Sequence, residues 1–317
     1  MKFGQCTSDI FKVPSGVPQG GHYSSTLFNL VMNLAPGIMK DSKMFLYADD
    51  SKIVKRVFSI SDCLVLQDDC NRFNEWCRMF GMKLNSSKCK SMTLSRSRNK
   101  LNSVYYIGDN RIDKINKFRD LGITFNNKFD FNDDLTFRLS KAKSTLGVIK
   151  RLAPDFKNID ALKTLYVSLV RSTLEYGSVV WSPYYSGPTT AIENVQRSFL
   201  RFIDFENNLN YDTMCNKFKL DKLCTRRKIS SIMFCFDLLT GKIDCPELLS
   251  KVNFHCPIRF TRHNEFLRPV RHTTNYLKYN PINVMQSNFN SVHHLFNDGI
   301  SREGFRSKIL YFLRDQN

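Results

Sequence analysis

No apolar run in this chain is long enough to cross a bilayer. The longest apolar stretches, such as residues 27–34, are short and broken by asparagine, whereas a membrane helix needs about 20 apolar residues. The opening residues Met1-Lys2-Phe3-Gly4-Gln5 lack the apolar core of a secretory signal. Acidic residues are scarce, with 29 Asp+Glu against 47 Lys+Arg, a formal net charge of +18 and a pI near 9.5. Such an imbalance favours a polyanionic partner, above all nucleic acid. A membrane surface is the weaker option, because no basic amphipathic helix with a clean apolar face stands out. Also missing is any internal repeat of fixed period.

Metal-ligand spacing is absent as well. The ten cysteines never assemble into four ligands at zinc-finger spacing. His255, His263, His272, His293 and His294 with Cys256 match no compact knuckle either. Cys63, Leu66, Cys70, Phe73, Cys77 and Phe80 instead alternate three and four apart, the stripe of a buried helix face. These features imply an intracellular protein with reduced thiols. The chain holds 317 residues of which 42% are hydrophobic, enough for one or two folded domains plus an appendage.

Along the chain, residues 2–14 suggest a short strand pair leading into the Gly-rich segment Ser15-Gly16-Val17-Pro18-Gln19-Gly20-Gly21. Leu27, Phe28, Leu30, Val31 and Leu34 fit a helix broken at Pro36-Gly37. Residues 44–48 and 53–58 flank Asp49-Asp50-Ser51-Lys52 and imply a hairpin with the acids at its tight turn. A helix over 61–80 follows, closed by Gly81, then short strands at 91–94, 104–107 and 122–125. From about residue 126 the pattern turns helical: Leu135, Leu139, Ala142, Leu146 and Ile149; then Leu162, Leu165, Tyr166, Leu169 and Thr173; then Ile192, Val195, Phe199 and Phe202. Beyond residue 207 the signal fades, with 226–239 as a further helix and 253–290 polar without a clear period.

Two adjacent carboxylates at a hairpin tip suit a divalent metal, although a turn also favours Asp for its own reasons. The surrounding residues decide between these. Tyr47-Ala48-Asp49-Asp50 resembles the catalytic box of reverse transcriptases, and the Gly-rich loop followed by Leu27-Phe28-Asn29-Leu30 resembles the loop and helix before it. Gly81-Met82-Lys83-Leu84-Asn85 with Lys88, and Asp120-Leu121-Gly122-Ile123, are similar to the next two blocks, the second of which grips the primer end. Leu169-Val170-Arg171-Ser172, Leu174-Glu175-Tyr176, Val180-Trp181-Ser182-Pro183 and Val195-Gln196-Arg197 are similar to the region after the palm in insect jockey-like non-LTR retrotransposons. The likeness runs from about residue 13 to 205, in order and with compatible spacing.

That resemblance implies an α+β fold: a partial palm over 1–127, a helical thumb over 128–205, and a basic, mostly helical or irregular C-terminal region over 206–317. It implies an RNA-directed DNA polymerase that adds deoxynucleotides to a DNA primer on an RNA template, in the nucleus, with two Mg²⁺ or, as an alternative, Mn²⁺. Asp49 would ligate both metals with help from Asp50, and Lys88 would neutralise or protonate the departing pyrophosphate unless it is a solvated loop lysine. Gln19, Gly20 and Tyr47 would lie near the templating base and incoming nucleotide. Arg138, Lys141, Lys150 and Arg151 would track duplex phosphates on the thumb helix, or simply form a soluble face. Trp181, Tyr184 and Tyr185 either stack on bases or pack their loop against the helices.

Two departures shape the expectation. Gly21 stands where the family usually has Ser. The preceding palm block, with its metal-binding Asp, and the fingers are missing, and Asp9 is the only acid before Gly16. The chain is therefore expected to be the C-terminal part of a retrotransposon polymerase, inactive or nearly so alone unless an upstream polymerase segment completes it. The alternative is a nucleic-acid-binding remnant without chemistry.

Overall fold

The computed structural model describes residues 2–3, 6–7, 16–18, 20–97, 101, 103–153, 158–207, 209–256, 265–297 and 299–315. The chain divides into two compact units, Met1–Asp130 and Phe131–Asn317. With 54% of the described residues helical and 11% in strands, helix and sheet are mixed, and the named strands all lie in the first unit.

In the first unit, β1 (Lys2–Phe3) pairs antiparallel with β2 (Cys6–Thr7). Helix α1 (Ser24–Met32) buries Met32 and turns Phe28 and Val31 inward, and a 3-10 turn over Ala35–Ile38 follows. Strands β3 (Lys43–Tyr47) and β4 (Asp50–Val54) form the expected antiparallel hairpin. Helix α2 (Ile60–Met79) starts with a capping box, in which the Ser59 hydroxyl accepts from the Asp62 N–H and the Asp62 carboxylate accepts from the Ser59 N–H. Of the expected stripe Cys63, Phe73 and Cys77 are buried and Leu66 and Cys70 half-buried, while Phe80 at the helix end is exposed; Trp76 is added between Phe73 and Phe80. Met32, Ala35, Phe73, Trp76 and Cys77 form the centre of the core, and Met44, Leu46 and Ile53 of the hairpin pack onto it.

The rest of this unit is built from short ladders. β5 (Lys90–Ser91) runs parallel to β8 (Asp113–Lys114), and β6 (Tyr106–Ile107) pairs with β7 (Asn110–Arg111). β9 (Lys117–Asp120) and β10 (Ile123–Asn126) make a second hairpin. Its turn, Leu121-Gly122, carries positive φ at both residues, +43° and +81°, as the right-handed twist of a tight hairpin requires.

The second unit is helical. α3 (Asn132–Leu152) buries Leu135, Ala142, Leu146 and Ile149. α4 (Ile159–Leu165) continues through a π-helical turn, Tyr166–Arg171, into α5 (Ser172–Glu175) and then α6 (Ser178–Trp181). α7 (Ser186–Ile203) is followed by α8 (Tyr211–Lys217) and α9 (Leu223–Leu239). The Tyr166 ring stacks on Phe199 at 4.2 Å.

A division at residue 205 falls inside this unit. Gln196 of α7 donates to Tyr211 Oη and to the Asp221 carbonyl, at 3.0 and 3.1 Å. Glu193 accepts from Tyr211 Oη and from the N–H groups of Leu223 and Cys224. Cutting there would strand a buried carboxylate and amide, which is why the helices fold together.

The remaining helices are α10 (Pro246–Leu249), α11 (Asn275–Lys278), α12 (Pro281–Asn290) and α13 (Arg302–Asp315). α9 packs against α12 and α13 around Phe236, Phe289 and Phe305. One face of α12 is polar and turned inward. Asn283 bonds both backbone groups of Val270, Gln286 the N–H of Asn253, and Asn290 both backbone groups of Leu267. Those side chains satisfy an irregular segment that would otherwise bury unpaired backbone.

Candidate active site

Strand alternation builds the site. Met44 pairs with Ile53, Phe45 with Lys52 and Tyr47 with Asp50. Directly opposed residues share a face, so Met44, Leu46 and Ile53 meet the core while Phe45, Tyr47, Asp50 and Lys52 occupy the other face. Ala48 and Asp49 make the turn, with Ala48 at φ +51°. For an alanine that left-handed position costs about 1 kcal/mol. Asp49 and Asp50 are both exposed, and among the described residues neither carboxylate has a hydrogen bond or ion pair.

Two further contacts fix this hairpin. Lys52 Nζ lies 2.8 Å from Asp120 Oδ1, with the side chains 28% and 16% exposed. This pair joins the acid-bearing hairpin to the β9–β10 hairpin, so two of the sequence blocks are neighbours in space. At the other end Asp69, fully buried on α2, accepts from the N–H groups of Lys40, Asp41 and Ser42 at 3.0, 3.3 and 2.9 Å. Burial alone would raise its pKa, but those backbone donors outweigh it and hold the carboxyl below its ordinary range. Asp69 thus sets the turn that feeds β3. Sequence reasoning passed over it, since nothing but its place beside the apolar stripe of α2 marks it.

The Gly-rich loop is described from Gly16 to Pro18 and from Gly20 onward; Gln19, like Asp9, lies outside the described residues. Gly20 is exposed at φ +81°, and a Cβ there would meet nothing within 4 Å. Backbone conformation, not crowding, therefore demands glycine at this position. Gly21 is the reverse case. A Cβ on it would lie 2.6 Å from Ser24 Oγ, and that hydroxyl is already committed to the Pro18 carbonyl at 2.5 Å.

The remaining candidates are scattered. Lys88 sits exposed in a turn, its N–H bonded to the Asn85 carbonyl, and among the described residues no hydrogen bond or ion pair joins it to Asp49 or Asp50. In the second unit Arg138 does not face solvent. It is 4% exposed, pairs with buried Asp134, donates to the Thr173 carbonyl at 3.1 Å and lies over the Trp181 ring at 5.0 Å. This corrects its expected place on a phosphate-tracking face: its charge neutralises an interior carboxylate. Lys150 is half-buried, donating to Ser198 Oγ at 2.9 Å and lying 5.4 Å from the Phe202 ring centroid. Its pKa is lowered by burial. Lys141 and Arg151 remain exposed.

The motif residues Arg171, Glu175 and Gln196 are structural too. Glu175 pairs with Arg226 and, more loosely, with Arg171, while Gln196 accepts from Tyr166 Oη. As a potential metal centre the hairpin tip offers two exposed carboxylates, hard oxygen donors of the kind magnesium takes together with water and phosphate. Among the described residues no group of three or more His, Cys, Asp or Glu side chains comes together.

Residues 2–125 match the family model described as reverse transcriptase (RNA-dependent DNA polymerase). Those residues are a reverse transcriptase domain. Homology continues past it into the helical unit. The chain is 22% identical over 210 residues to the probable RNA-directed DNA polymerase from transposon X-element of Drosophila melanogaster, covering 64% of this chain and 23% of that protein. It is 25% identical over 209 residues to the RNA-directed DNA polymerase from mobile element jockey of the same organism, covering 62% of this chain and 22% of that protein. The chain therefore spans less than a quarter of either relative. No solved structure gave a significant match. No helix among the described residues is long and apolar enough to cross a membrane.

Proposed function

We propose that this chain contributes part of the catalytic palm of an RNA-directed DNA polymerase, with residues 1–127 as palm, 128–205 as thumb and 206–317 as a basic extension. The observation that carries this reading is the hairpin that presents Asp49 and Asp50, unpaired, at its exposed tip. The substrates would be an RNA template, a DNA primer and deoxynucleotides, and the site of action the nucleus. Asp49 and Asp50 would hold Mg²⁺ or Mn²⁺, which when bound activates an attacking hydroxyl and offsets charge on the transferred phosphate.

The rest of the work falls to the chain itself. The inward residues of β3 and β4 anchor the tip, Lys52 holds the face beside Asp50, and Gly20 lets backbone donors approach a nucleotide alongside Gln19 and Tyr47. Lys88 is the candidate cation for the leaving pyrophosphate. Two solvent-facing carboxylates hold a divalent ion weakly, so this chain alone should incorporate nucleotides slowly or not at all. The net charge of +18 also supports a second reading, nucleic-acid binding without chemistry.

Iron(II) in place of magnesium, with peroxide and ascorbate, tests the metal site without requiring turnover. Backbone cleavage is expected around residues 47–50 and should vanish with Asp49→Asn. Cleavage indifferent to Asp49 would remove the metal assignment. Primer extension on an RNA template then separates the two readings, because incorporation lost in Asp49→Asn supports the polymerase, and salt-sensitive binding with no incorporation supports the remnant.

A further inference from the structure

Three tyrosines meet on the surface of the helical unit. Tyr184 stacks on Tyr279 with centroids 4.4 Å apart and planes 8° apart, and its ring centroid is 4.2 Å from that of Tyr185. Tyr184, Tyr185 and Tyr279 stay 41%, 58% and 38% exposed. Trp181 anchors the loop of Tyr184 and Tyr185, 3% exposed and donating through Nε1 to the Tyr176 carbonyl at 2.8 Å. Tyr185, the most exposed of the three, keeps ring surface open to solvent.

Cations flank the same place. Buried Asn283 bonds Val270 through both backbone groups and donates to the Leu277 carbonyl at 3.2 Å. One side chain thus holds residues 270–271 beside residues 277–279. Arg268, Arg271 and Lys278 are exposed, and among the described residues none of them pairs with an acid. Lys278 Nζ lies 5.3 Å from the Tyr279 centroid. From residue 251 to 278 the sequence has six Lys and Arg against the single acid Glu265.

We propose that this face binds single-stranded nucleic acid, with unpaired bases extending the tyrosine stack and phosphates meeting Arg271 and Lys278. Base faces are available in a single strand and covered in a duplex, which sets the preference. A proline-rich peptide also docks on aromatic rings, but it has no use for the surrounding cations. The contacts read bases and phosphates, not sugars, so RNA and DNA of one sequence should bind comparably. The proposal does not draw on the Asp49–Asp50 hairpin and stands whether or not the chain polymerises.

Tyr185→Trp supplies the test. The two native tryptophans, Trp76 and Trp181, are 5% and 3% exposed, so residue 185 becomes the accessible reporter. The full chain is titrated with a short single-stranded RNA, the matching DNA, the duplex and a proline-rich peptide. Quenching by both single strands, weaker response to duplex, and the same response after Asp49→Asn are expected. Tyr185→Ala and Tyr279→Ala should each weaken single-strand binding about tenfold. Tyr185→Phe should not, which controls for a folding defect. Arg271→Gln should reduce the salt slope by about 0.7. A reporter silent to bound single strands, equal response to duplex, or response to the peptide alone would each overturn the proposal.

Discussion

Lys52 and Asp120 form an ion pair that ties the strand after Asp50 to the hairpin turning at Leu121-Gly122. Both partners are largely shielded, so the pair is worth more than a surface contact and less than a buried one. Lys52→Met and Asp120→Asn should each lower stability by about 1 kcal/mol, with the double variant less costly than their sum. Denaturant melts of the four proteins measure that coupling. Strict additivity would mean that the two hairpins are not linked through this contact.

Asp69 should matter more. Asp69→Asn keeps the shape but loses the charge that three backbone donors address, at a cost of about 2 kcal/mol. Its carboxyl is held below the ordinary range in the folded state, so the unfolded chain takes up the proton first on acidification. The stabilisation is therefore full above the ordinary carboxylate pKa of about 3.9 and is lost as pH falls through the lower folded-state value. In melts taken from pH 7 downward, the gap between wild type and Asp69→Asn should begin to narrow once the pH falls below the ordinary carboxylate pKa.

Gly21→Ser should destabilise the Gly-rich loop. The added Cβ displaces Ser24 Oγ from the Pro18 carbonyl, a loss of about 1 kcal/mol. Adding Ser24→Ala to Gly21→Ser removes the clash, so the double variant should be no worse than Ser24→Ala alone. Thermal melting of the three variants decides it.

Arg138 and its helix neighbours should separate cleanly. Arg138→Ala takes the guanidinium away from the buried Asp134 carboxylate, costing about 3 kcal/mol or more. Lys141→Gln with Arg151→Gln should leave stability within about 0.5 kcal/mol and flatten the salt dependence of nucleic-acid binding, as read by fluorescence anisotropy.

What was legible in the sequence followed from local pattern. The apolar run of residues 44–48 and the Cys-Phe stripe of residues 63–77 are local, and both elements formed as expected. Arg138 was misread because its partner stands one helical turn upstream of the acid-free run that begins at Arg138 itself. Asp69 was invisible for a related reason: its donors lie on a turn distant in sequence, and an acid on an amphipathic helix looks solvated until that turn arrives. The C-terminal third read as polar without period because Asn283, Gln286 and Asn290 point inward to satisfy backbone. Its phenylalanines gather from separate segments, so no single stretch shows the core they make.

The clamp at Asp69 also has a kinetic side. The Lys40 and Asp41 side chains are exposed, yet their amides are locked to a carboxylate that sits in the middle of α2. Those amides can meet solvent only when the helix lifts away from the turn. In deuterium they should exchange as slowly as the interior of α2 itself, and far faster in Asp69→Ala. The turn entering the acid-bearing hairpin would then open with the core, not ahead of it.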